Sequence, residues 1–143
     1  MKIDNTETFI FYNPNPAFKR MKNGKVPNWY RGDCLIRSIC AATGLDWEYV
    51  YKKSFESAIK VYDMPNYDTG AAQVFKDFGF TRHSFGKLNP GEHRPTAGEF
   101  AKDHNGEICI LVLAGHYVCA KDGKLHDVID TSNSKVYSWW SKD

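Results

Sequence analysis

Apolar positions along the chain fall into two regimes. In the first half they recur at steps of three and four; in the second half they run together or alternate. The first pattern predicts helices and the second predicts strands. Leu35, Ile36, Ile39, Cys40 and Ala42 cover most of a helix circumference, so the stretch from Cys34 reads as a helix buried at the domain centre. Asp33 is its expected N-cap, and Gly44 closes it. Asp46 caps a second helix, in which Trp47, Val50, Tyr51, Phe55, Ile59 and Val61 or Tyr62 recur up to Pro65. A third helix opens at Thr69, with Ala72, Val74, Phe75 and Phe78 apolar and Gly79 at its C-terminus. Thr96-Ala97-Gly98-Glu99 has capping-box spacing and predicts a short helix to about His104.

Residues 7–12 read as a short strand, and Phe80 to Phe85 as a short strand or an extended segment. Ile108–Ala114 is near-continuously apolar, as in a central strand. Tyr117–Ala120 and Leu125–Ile129 predict a hairpin around Asp122-Gly123, and Lys135 to Trp140 a final strand. Helices first and an antiparallel sheet afterwards is an α+β layout. At 143 residues, a single domain over 1–143 with a real core is expected.

Charge and composition narrow the partners. A formal charge of +2 gives no global electrostatic case for nucleic acid or membrane. Locally, the basic segment 19–31 carries Lys19, Arg20, Lys22, Lys25 and Arg31 beside Trp29 and Tyr30, a mixture able to contact phosphates and stack bases. The plainer reading is a solvated loop whose aromatic side chains pack on the core. The first five residues lack the apolar core of a signal peptide, and no run reaches membrane-spanning length, so a soluble cytoplasmic protein is expected. Of the four cysteines, Cys34 and Cys40 lie six apart on one predicted helix and cannot bridge, which favours reduced thiols. No Cys-x-x-Cys pair exists, and His116 and Cys119 fall on opposite strand faces, so neither a metal nor another cofactor is expected.

Cys34 is where chemistry enters. At a helix start, the aligned peptide dipoles favour a thiolate and lower the thiol's pKa. A thiolate used as a nucleophile needs a base in reach, and the base needs a group to orient it. Among five histidines, His83, His93 and His104 lie in polar loop or helix-end contexts, and His126 sits mid-strand. His116 follows Gly115 at a strand start, directly after the most apolar segment, where an imidazole is held rigidly. The hairpin register selects its partner. A type I turn with a glycine bulge puts Asp130 on the face of His116, whereas a two-residue type I′ turn puts Asp127 there. The Ala-Lys-Asp-Gly-Lys context favours the bulged turn, hence Asp130.

The segment Gly32-Asp33-Cys34-Leu35-Ile36-Arg37-Ser38-Ile39 resembles the Gly-Asn-Cys-Leu-Phe-Arg-Ser-Ile stretch of OTU-type deubiquitinases. With Gly115-His116-Tyr117-Val118 and Asp127-Val128-Ile129-Asp130-Thr131, it is also similar to small papain-fold proteins of phages and bacteria. The resemblance, carried by about a quarter of the chain, implies a papain-like α+β fold in which an N-terminal central helix bearing the cysteine packs on a C-terminal antiparallel sheet. It further implies a Cys34 nucleophile, a His116 general base and acid, and an orienting Asp130. The oxyanion donors would be the Cys34 main chain and Asn28, which stands six residues earlier in place of the usual Gln. OTU enzymes carry an Asp three residues before the cysteine, where this chain has Arg31. Trp29 and Tyr30 would wall a substrate groove. The implied activity is hydrolysis of a peptide or isopeptide bond through an acyl-enzyme; an acyltransferase would show the same pattern. The contrasting expectation is a catalytically silent papain-fold binding protein that contacts nucleic acid or a host protein through segment 19–31.

Overall fold

The computed structural model describes residues 6–17 and 32–142. Asn28, Trp29, Tyr30 and the basic segment 19–31 therefore lie outside the described residues. Among those described, the elements in chain order are β1 (Phe9–Phe11), α1 (Cys34–Thr43), α2 (Trp47–Ile59), α3 (Asp68–Asp77), β2 (Phe80–Ser84), α4 (Ala97–Asp103), β3 (Cys109–Leu113), β4 (His116–Lys121), β5 (Lys124–Asp127) and β6 (Ser138–Lys142). The class is α+β.

The strands form one six-stranded sheet in the order β1-β5-β4-β3-β6-β2. It is mixed rather than purely antiparallel, because β1 joins the edge parallel to β5, with Phe9 opposite Leu125 and Phe11 opposite Asp127. The all-apolar β3 lies inside the sheet, between β4 and β6, and both its faces are covered. Ile110 points into a core shared with α1, α2 and α3, together with Cys119 and Trp140. Cys109, Leu111 and Leu113 point to the other face, where Phe100 and Ala101 of α4 pack with Val118, Leu125 and Val136. Burial on both faces is why β3 shows no polar alternation.

The periodicity places α1 at the centre, and all eight residues from Leu35 to Ala42 are buried, Arg37 and Ser38 included. Gly44 ends the helix in the left-handed region, at φ 76°, with its N–H on the Cys40 carbonyl. Asp33 departs from expectation: it precedes the helix, but its side chain makes no cap hydrogen bond. α2 begins as predicted, with the Asp46 carboxylate accepting the Glu48 N–H. Its buried face is made of Val50, Ser54, Ser57 and Ala58, however, while Tyr51, Phe55 and Ile59 stay exposed. Small residues let α2 lie close to its neighbours, which turns the larger side chains outward. Close approach recurs at α3, where a Cβ on Gly70 would fall 2.0 Å from the Met64 carbonyl oxygen.

The β4–β5 turn also differs from expectation. Lys121 pairs with Lys124, Ala120 with Leu125 and Cys119 with His126. Asp122 and Gly123 both have positive φ, 55° and 76°, which makes a two-residue type I′ turn without a bulge. The change of parity moves Asp127, rather than Asp130, onto the face of His116.

Candidate active site

Cys34 is the first residue of α1 and is only partly buried; the other three cysteines are enclosed, and all four are free thiols. Two features of the neighbouring hairpin bring the base to it. The two-residue Ala114-Gly115 turn, with Gly115 at φ 64°, makes His116 the first residue of β4, opposite Leu113. The thiol of Cys34 then meets the His116 imidazole and the main-chain N–H of Tyr117. His116 uses Nε2 to reach Asp127 Oδ2 at 2.6 Å, leaving Nδ1 as the ring nitrogen for the sulfur. The sulfur, imidazole and carboxylate thus come together from α1, β4 and β5.

The electrostatics separate Cys34 from its counterparts. Burial alone would push its thiol up, but the hydrogen bond and charge of His116, the Tyr117 N–H and the Arg37 charge outweigh that, and the pKa falls below the ordinary thiol value. Burial holds the others up, Cys109 to about 11 and Cys40 and Cys119 to about 12. Burial works against a charged His116 as well. The Asp127 hydrogen bond and the Cys34 partner overcome it and raise the imidazole to about 9. The two shifts run in opposite directions, and both favour the thiolate–imidazolium pair over the neutral thiol and imidazole.

Asp130 is not the partner of His116. It is exposed, and Oδ1 accepts hydrogen bonds from the N–H and the hydroxyl of Ser132. This is a local turn bond, of the kind aspartates commonly make after a strand. Asp127, by contrast, is 2 % exposed. Its Oδ1 accepts the Val128 N–H at 2.7 Å and faces Arg37 Nη2 at 3.4 Å. The remaining described histidines have other surroundings. His83 meets Ser141, His104 stacks on Phe100 beside Glu107, His126 meets the Lys121 carbonyl, and His93 is exposed.

Two polar residues at the site, Arg37 and Asn15, carried no signal in the hydrophobic pattern. Arg37 Nη1 is ion-paired to Asp33 Oδ1. Asp33 Oδ2 accepts from Asn15 Nδ2 at 2.9 Å and from Trp47 Nε1 at 3.1 Å. The side chain expected to cap α1 is thereby committed sideways. On the other side, Tyr117 opens onto a groove of about 820 Å³ walled by Asp68, Gln73, Arg82, Tyr137 and Trp140. Burial, with the charges of Cys34 and Asp68, raises the Tyr117 phenol to about 12, which keeps it a neutral hydrogen-bonding group.

Among the described residues, no group of three His, Cys, Asp or Glu side chains is placed to hold a metal ion, and no helix is long and apolar enough to cross a membrane. Comparison with family models, with curated proteins and with solved structures found no match to this chain.

Proposed function

We propose that the protein is a cysteine hydrolase of papain-like design, cleaving a peptide or isopeptide bond through an acyl-enzyme. The observation that carries this reading is the partly exposed Cys34 at the start of α1, in contact with a His116 whose far nitrogen is held by buried Asp127. In the first step the Cys34 thiolate attacks the substrate carbonyl carbon and the carbonyl π electrons move to oxygen. The first N–H groups of α1 have no partner within the helix, so the main-chain N–H of Cys34 is available to the oxyanion. His116 gives its proton to the leaving amine as the carbon–nitrogen bond breaks, leaving a thioester. It then takes a proton from water, whose oxygen attacks the thioester and releases the acid and the thiolate. Asp127 keeps the imidazole in one tautomer and orientation throughout, the role assigned from sequence to Asp130. Through Tyr117, whose main-chain N–H meets Cys34, the groove adjoins the site and would receive part of the polypeptide.

The binding-protein reading depends on segment 19–31, outside the described residues, and no described feature favours it. The discriminating experiment is turnover of a panel of peptide and isopeptide substrates by the wild type and Cys34→Ala. Turnover that vanishes in the variant, with the melting temperature preserved, supports the reading. Equal turnover by both proteins overturns it.

A further inference from the structure

We infer that Arg37, clamped by Asp33, is a positioning residue that fixes the Asp127 carboxylate beneath His116, so that one helix carries both the sulfur and the device aligning its base. The inference rests on the proposed catalytic reading. Arg37 stands one turn after Cys34 on α1, is 5 % exposed, and bridges Asp33 to Asp127. Asp127 Oδ2 is engaged by His116, so the carboxylate plane is set by what holds Oδ1. Those partners are the Val128 N–H and Arg37 Nη2. Removing Arg37 leaves Oδ1 with one main-chain donor, so the carboxylate is held less firmly beneath the imidazole.

The need for Asp33 follows from charge. A guanidinium without a counter-charge at 3.4 Å from Asp127 would draw the carboxylate's field away from the imidazole and lower its proton affinity. Asp33 neutralises Arg37 from the opposite side and is itself held by Asn15 and Trp47. The groups facing the reacting pair are Arg37 and Tyr117 toward Cys34, and Asp127 toward His116; Asp68 faces Tyr117.

The test reads Cys34 itself, independently of any substrate. Rates of iodoacetamide alkylation at Cys34 are followed by peptide mass spectrometry from pH 4 to 10 in wild type, Asp33→Asn, Arg37→Lys and Arg37→Met. Folding is checked by near-UV circular dichroism. Asp33→Asn leaves the Arg37 charge uncompensated and should move both limbs of the profile down, by about one pH unit. Arg37→Met should move the acid limb up by a similar amount, and Arg37→Lys, which keeps the charge without the fork, should fall between wild type and Met. Should Arg37→Met fail to fold, Asp33→Asn and Arg37→Lys decide the matter. Profiles superposed on wild type in folded variants, or Asp33→Asn and Arg37→Met shifts of one sign, would overturn the inference while leaving the catalytic reading intact. A wild-type Cys34 no more reactive than Cys40 at pH 6 would overturn both.

Discussion

At the residue scale, reactivity depends on which thiol has a cationic neighbour and a path to solvent. Cys34 has both, whereas Cys40, Cys109 and Cys119 are fully enclosed and have raised pKa values. Iodoacetamide at about pH 6 should therefore label Cys34 almost alone, and uniform slow labelling of all four would contradict the ion-pair assignment. His116→Ala should abolish that selectivity. Asp127→Ala should lower turnover by about two to four orders of magnitude, with the imidazole losing its tautomer and orientation. Asp130→Ala should stay within about twofold of wild type and cost about 0.5–1 kcal/mol for the lost turn bond. Steady-state kinetics on the two aspartate variants side by side gives the answer, and a deeper loss at Asp130 would reverse the assignment.

The elements decide whether those residues meet. Two short turns set the register of β4 against its neighbours: Ala114-Gly115 starts the strand at His116, and Asp122-Gly123 returns the chain so that Asp127 shares its face. Asp-Gly is itself a type I′ signature, so the dipeptide carries the observed parity, whereas the wider Ala-Lys-Asp-Gly-Lys context points to a bulge. Helix positions were legible because their apolar spacing is strong, yet the buried face of α2 was not. Ser54, Ser57 and Ala58 face inward because close packing selects small size, and hydrophobicity alone points to Tyr51, Phe55 and Ile59. The same closeness makes Gly70→Ala a sharp test. Its Cβ would overlap the Met64 carbonyl, a backbone atom that cannot step aside, so thermal melting should show a loss of about 1–3 kcal/mol. An unchanged melting temperature would mean that α3 stands further from residues 63–64.

Across the whole molecule, the buried charges link the site to stability. Breaking the Asp33–Arg37–Asp127 set by Arg37→Met leaves two enclosed carboxylates without their cation and should cost about 3–5 kcal/mol in chemical denaturation. The pair at the reacting end adds a pH dependence. The folded pKa of His116 is raised, so its contribution is complete below the unfolded value near 6.5 and is lost as pH rises through about 9. The Cys34 shift is of opposite sign; its contribution is present above the ordinary thiol value and is lost as pH falls through the lowered one. The Cys34 shift is itself owed to His116, so the comparison is made in a Cys34→Ala background, where melting curves with and without His116→Ala should converge above about pH 9. A gap that persists at pH 10 would place its stabilising role elsewhere, in packing.

Taken alone, the sequence determined most of the elements, the α+β class, the burial of the central helix and the choice of Cys34 and His116 as the residues to watch, although α2 ends at Ile59 rather than near Pro65 and the last strand runs Ser138–Lys142 rather than Lys135 to Trp140. These follow from periodicity, caps and turn residues, which act over a few positions and leave a local trace. Only the tertiary structure decided that Asp127 rather than Asp130 reaches the imidazole, that Asp33 turns from capping α1 to hold Arg37, and that β1 closes the sheet in parallel. Each of those depends on groups far apart in the chain: Asn15 with Asp33, Arg37 with Asp127, Phe9 with Leu125. A charge buried in an apolar helix leaves no period to read, because its partners are chosen by packing across the sheet rather than by its neighbours in sequence.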